Sequence, residues 1–190
     1  MTSLRRGFVA VVPSAAALDH VEAAVAPLRT GMPRLRWTPR AQWHVTLQFL
    51  GRVDDVDELV DALHAAVSGV APFTVCLGGG GAFAKARAGT VLWLGVADGA
   101  APMGALSTAL TDATAALGSA TEDRPFRAHL TIARARRPTD LRGVVTALDV
   151  AGPGPAWTAS EVVLVASDTR PDGAVHTVVA RSPLATRRAG

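Results

Sequence analysis

The sequence predicts an α+β fold of two pseudo-symmetric lobes of mostly antiparallel sheet, with helices on the outside and a central cleft. Three observations lead there. Apolar runs of strand length are interleaved with long helical patterns, without the regular alternation of a doubly wound parallel sheet. A strand, a helix and a loop lead to "HVTLQFLG", and later the same succession leads to "HLTIARAR". Finally, a chain of 190 residues, 49% of them hydrophobic, can bury a sizeable core and is not generally disordered. Residues 1–190 are read as one two-lobed domain.

The elements follow in order. Phe8 to Val12 is a strand stopped by Pro13, and Ser14 caps a helix from about Ala15 to Leu28. The arginines and apolar residues at the start loosely imitate a secretory signal, but the strongly apolar run is too short for one. No window approaches the roughly twenty apolar residues of a membrane span, so a cytoplasmic location is expected. Next comes "WHVTLQFLG". Strand alternation sends Val45, Leu47 and Phe49 to a core and His44, Thr46 and Gln48 to the opposite face.

Val56, Leu59, Val60, Leu63 and Val67 form the apolar stripe of a second helix. The acidic cluster Asp54, Asp55, Asp57, Glu58 and Asp61 is its first turn and solvated face. Pro72 to Leu77 is a strand ended by a flexible turn at Gly78 to Gly81. No Gly-Lys-Ser/Thr follows those glycines, so they are not a phosphate-cradling loop. Val91 to Val96 is a strand. Met103, Leu106, Leu110, Ala113 and Leu117 recur at helical spacing between Pro102 and Gly118. Strands follow at His129 to Ala133, Ser160 to Ala166 and His176 to Ala180, with a short helix near Asp140 to Leu148 and a turn at Gly152 to Pro155. The single cysteine, Cys76, excludes a disulfide framework or a cysteine zinc site and reads as a small buried hydrophobe.

The chemistry lies in the repeated motif. His129 and Thr131 share one face of their strand while Leu130 and Ile132 share the other, repeating the period of His44 and Thr46. One His-x-Thr on a strand is an ordinary half-solvated face. Two in a chain with five histidines, on strands that symmetry brings to one cleft, point to acid–base work. Histidine titrates near neutral pH, so one imidazole can accept a proton while the other donates one. The Thr46 and Thr131 hydroxyls can donate hydrogen bonds to phosphoryl oxygens, and arginines near His129 can clamp the same anion. Two histidines without a neighbouring carboxylate make a poor metal site, so neither metal nor cofactor is expected.

These segments resemble the two-histidine (2H) phosphoesterase superfamily, and within it the RNA 2′,3′-cyclic phosphodiesterases, also called the bacterial 2′-5′ RNA ligase family. The likeness runs through "FVAVVPS", "RWTPRAQWHVTLQFLG", "GAFAKARAGTVLWLGV", "RPFRAHLTIAR" and "EVVLVASDTRPDGAVHTVVARSPL". It implies His44 and His129 as the catalytic pair, with Thr46 and Thr131 on the phosphate and Arg134 at a position associated with it. It also implies hydrolysis of an RNA-terminal 2′,3′-cyclic phosphate to a 2′-phosphomonoester, with 2′-5′ ligation as related chemistry. We assign His44 as proton donor and His129 as proton acceptor, the two roles being nearly interchangeable by symmetry. Ala128, Ala84 and His176 stand where the family commonly has proline, proline and tyrosine.

Strict alternation would put Arg134 on the core side, so the strand must end or twist before it. Arg127 and Arg124 are candidates for RNA phosphate, and Phe83 for base stacking. His20 and His64 fall within helices and are read as surface residues; His176 is a candidate for the flank of the cleft. The expected partner is an RNA end or nucleotide carrying a cyclic phosphate, with no membrane and no metal, bound by a monomer. A small nucleotide from tRNA processing, or RNA binding without turnover, are the alternative readings.

Overall fold

The computed structural model describes residues 3–118, 125–170 and 173–185. Among these, nine strands and four helices follow one another: β1 (Leu4–Val11), α1 (Ala15–Gly31), β2 (Leu35–Trp37), β3 (Val45–Val53), α2 (Val56–Val67), β4 (Phe73–Phe83), β5 (Gly89–Asp98), α3 (Ala100–Ala115), β6 (His129–Thr139), α4 (Arg142–Ala151), β7 (Trp157–Ala159), β8 (Glu161–Arg170) and β9 (Gly173–Pro183). The strands form one sheet in the order β7-β4-β5-β6-β3-β1-β8-β9, with β2 added beside β6. Every pairing among the described residues is antiparallel. No helix among them is long and apolar enough to cross a membrane.

The order is palindromic about the β3–β6 junction, which is held by a single registered pair, Val45 opposite Leu130. Each half repeats strand, helix, strand, helix: β1-α1-β3-α2 and β5-α3-β6-α4. The helices form because their ends are satisfied and their stripes are apolar. The Ser14 hydroxyl accepts the Ala17 amide at 3.2 Å, and the Asp55 carboxylate accepts the Asp57 and Glu58 amides at 3.0 and 3.2 Å. Their stripes bury Val21, Val25, Leu59, Leu63, Met103, Leu106, Leu110 and Leu148 against one face of the sheet, together with Val9, Leu47, Leu92, Leu130 and Ile132. The opposite, concave face carries a smaller apolar cluster of Phe8, Ala10, Val163 and Val165.

Three expectations need correction. The glycines 78–81 are not a turn that ends a strand; they lie inside β4, which continues to Phe83. Their smallness is used for close approach. A Cβ on Gly81 would stand 2.1 Å from the Trp93 ring, and one on Gly80 would stand 2.6 Å from the Val145 carbonyl of α4. The second correction concerns β3, where alternation holds only as far as Leu47. Leu47 and Gln48 are both buried opposite Val9, an inserted residue that reverses the later positions. Gln48 is 8% exposed and donates to the Thr114 hydroxyl at 2.6 Å on the helical side, while Phe49 is 47% exposed. The third concerns β6, which neither ends nor merely twists before Arg134 but runs to Thr139. Ile132 and Ala133, both buried, oppose Leu92 as a second bulge, and this turns Arg134 to the concave face. Two three-residue strands, β2 and β7, escape the sequence pattern altogether.

Candidate active site

The two bulges occupy equivalent places, three and four residues after each histidine. Before the bulge, the Val45–Leu130 pair puts His44 and Thr46 on the same concave face as His129 and Thr131. Extending that antiparallel register by one residue places His44 opposite Thr131, and Thr46 opposite His129. After the bulge, Phe49 in one half and Arg134 in the other return to that face.

Each histidine is anchored in the same way. The Nδ1–H of His44 donates to the Gln42 carbonyl at 2.7 Å, and that of His129 to the Arg127 carbonyl, also at 2.7 Å. A carbonyl only accepts, so each neutral ring carries its proton on Nδ1 and leaves Nε2 as the acceptor. In the first half the Thr46 hydroxyl donates to His44 Nε2 at 3.1 Å. The Gln42 side-chain amide ties this lead-in segment to the Ala174 carbonyl at the start of β9.

The surroundings of the two rings differ. His44 stacks on Phe8 with centroids 4.6 Å apart, and His176 approaches edge-on at 5.3 Å. Burial holds the His44 imidazole down at about 4 against an ordinary 6.5; the Gln42 carbonyl opposes this, and the nearby His176, His129 and Arg134 charges reinforce it. His129 meets the edges of Phe83 at 5.0 Å and Trp93 at 6.2 Å. It too is held below its ordinary value, by burial first, then by the Arg134 and Arg127 charges, with the Arg127 carbonyl pulling the other way. The Arg134 charge thus acts on both imidazoles.

Of the residues singled out from sequence, His44, Thr46, His129, Thr131 and Arg134 therefore share one face. Arg127 is at the rim, its guanidinium 4.3 Å above the Trp93 ring, and Phe83 packs against His129. Arg124 lies outside the described residues. His20 and His64 are on α1 and α2, where each approaches a backbone carbonyl, Gly152 and Arg181 respectively. Cys76 is only partly buried and donates to the Gly154 carbonyl at 3.0 Å.

Three contributors were missed or undervalued. Phe8 is the floor beneath His44, and His176 closes the site from β9. Arg36 on β2 stands directly opposite Arg134. Like charges paired across strands are destabilising unless an anion comes between them. That pairing depends on a three-residue strand whose partner no local pattern reveals.

A 2′-5′ RNA ligase superfamily model matches residues 13–171. This chain belongs to the 2′-5′ RNA ligase superfamily. A relative, an RNA 2′,3′-cyclic phosphodiesterase of Geobacillus stearothermophilus, is 32% identical over 129 residues, which is 67% of this chain and 41% of that protein's length. Among solved structures, TT0787 of Thermus thermophilus is 27% identical with a TM-score of 0.75, over 96% of this chain and 100% of that one. E. coli LigT, solved in apo form, is 22% identical with a TM-score of 0.74, over 98% and 100%. LigT complexed with 3′-AMP has a TM-score of 0.71 at 23% identity, over 95% of this chain and 98% of that one. The LigT likeness is one of fold: the curled antiparallel sheet with helices outside, as the palindromic strand order of this superfamily member requires.

Proposed function

We propose that the protein opens 2′,3′-cyclic phosphates at RNA ends, yielding a 2′-phosphomonoester, by a two-histidine mechanism that needs no metal. The observation that carries this reading is the matched anchoring of His44 and His129. Both spend Nδ1–H on a carbonyl two residues upstream, leaving both Nε2 atoms for proton exchange on one concave face. His129 Nε2 takes a proton from water as the water oxygen bonds to phosphorus. His44 Nε2–H gives its proton to the 3′ oxygen as the P–O3′ bond breaks. The products are a 2′-phosphate and a 3′-hydroxyl, and proton exchange with solvent resets both rings.

His44 is assigned as donor because a substrate anion bound against this enclosed ring would offset the burial that disfavours its protonated form, and the protonated ring is then a strong acid. Thr46 and Thr131 donate to the non-bridging oxygens, and Arg134 neutralises charge gained in the transition state. Arg127 extends the cationic rim towards the rest of an RNA chain. A ribose hydroxyl in place of water would give 2′-5′ ligation by the same steps. The phosphodiesterase relative and the 3′-AMP complex of LigT both support a nucleotide-type substrate.

The test is direct. Chelator-treated protein is incubated with nucleoside 2′,3′-cyclic phosphates and with an RNA ending in one. A 2′-phosphomonoester is expected from both. A 3′-phosphomonoester, absence of turnover, or activity that disappears on chelation and returns with a divalent ion would each overturn the proposal.

A further inference from the structure

A cavity of about 660 Å³ adjoins His129 and takes no part in the acid–base chemistry. Trp93 and Gly95 of β5 line its near wall and stand directly opposite Thr131 and His129 on β6, so the cavity borders the catalytic gap. Its far wall is α3, and residues 126–128, which lead into His129, close one side. Glycine makes the hollow. Gly78 and Gly79 of β4, with Gly95 beside them, put no side chain into it. Gly104 does the same from the middle of α3, where glycine is unfavourable to the helix. A Cβ there would meet only the Phe126 ring, at 3.9 Å, so no packing contact demands glycine; what it preserves is the space in front of it. Into that space look an aromatic ring and a cation. Phe126 is 36% exposed, and Arg127 stands at the boundary, its guanidinium 4.3 Å above the Trp93 ring while its carbonyl holds His129. Among the described residues that line the cavity, no side chain is acidic.

We infer that this cavity receives the nucleobase of the penultimate nucleotide of an RNA end, with Arg127 on the phosphodiester that links it to the terminal ribose. This rests on reading the cleft as a phosphodiesterase site, since the terminal cyclic phosphate then lies between His44 and His129. The volume suits a group the size of a nucleoside. The order of features also follows the order of groups along an RNA chain: cyclic phosphate at the histidines, anionic linkage at Arg127, flat uncharged base against Phe126. The Thr108 hydroxyl is spent on the Gly104 carbonyl, so the walls offer stacking rather than a side chain that reads base edges.

Stacking of one base changes binding by about 5- to 150-fold. The wild-type protein should therefore show a higher kcat/KM, by a factor in that range, for adenylyl-adenosine 2′,3′-cyclic phosphate than for adenosine 2′,3′-cyclic phosphate. Gly104→Leu, which sets a good helix former into the cavity, should bring the ratio between the two substrates close to one, and Phe126→Ala should lower it. The ratio is internal to each variant, so a general loss of folded protein does not imitate the effect. A dinucleotide whose upstream residue is abasic should keep only the advantage due to Arg127. A wild-type ratio near one, a ratio that survives Gly104→Leu, or an abasic dinucleotide as good as the intact one would each overturn the base site while leaving the activity in place. Calorimetric titration with the two 2′-monophosphate products separates the inference from that activity. If the protein turned over neither substrate yet bound the dinucleotide product more tightly in a Gly104-dependent way, the activity would fall and the base site would stand.

Discussion

The half of the molecule that carries His44 and the half that carries His129 share strand order, bulge position and the carbonyl that anchors each ring. They differ in what fills the concave face. In the first half Phe8 and His176 enclose His44; in the second, the edges of Phe83 and Trp93 meet His129, and two arginines bring charge. Backbone symmetry thus aims two identical groups at one point, and side-chain asymmetry gives them different proton affinities. A pair of groups with separated affinities is what an acid–base reaction needs.

The comparison is broken most severely by removing either ring. His44→Ala and His129→Ala should each lower kcat by about 10²- to 10⁴-fold. In the wild-type protein both imidazoles are held below the ordinary value, so kcat/KM should peak below pH 6.5. His44 should govern the high-pH limb and His129 the low-pH limb, the measured midpoints belonging to the pair. A pH profile that keeps its high-pH limb in His44→Ala would reverse the assignment of roles.

A smaller effect concerns stability. The folded protein disfavours protonated His44, whereas the unfolded chain takes up that proton near pH 6.5. Folding stability should therefore fall as pH drops from about 6.5 towards 4 and be retained above that window. From His44 alone the loss at pH 4.5 is on the order of 2–3 kcal/mol. Urea unfolding at pH 7 and pH 4.5 should show a correspondingly smaller loss in His44→Asn; equal losses would contradict the burial argument. The smallest effect sharpens the contrast. His176→Phe removes one of the groups that depress His44, so the midpoint that His44 contributes to the kcat/KM profile should move upward in pH, the other holding its place. A profile with both midpoints unmoved would uncouple His176 from His44.

The sites of chemistry were legible because two-residue alternation holds locally around each histidine. Val45 and Leu130 face the core, so their neighbours face the cleft. Legibility failed a few residues later, where single inserted residues exchanged the faces of Gln48 and Phe49 and brought Arg134 round. A bulge is defined by the partner strand, so "TLQFLG" alone contains no sign of one. The glycine run misled for a related reason: its composition suits a turn, but what requires glycine is the Trp93 ring lying on Gly81 from the next strand. His176 and Arg36 needed non-local pairing to be placed.

The strand order also has a consequence for how the protein is made. On a chain emerging from its N-terminus, β4 through β7 follow one another without interruption, so the half bearing His129 can close once Ala159 is available. The floor under His44 pairs Phe8 with Val165, and Val165 in turn with Val178. Closing that span costs more chain entropy and comes late in synthesis. Of the two motif histidines, the one synthesised first is thus the last to acquire its final surroundings.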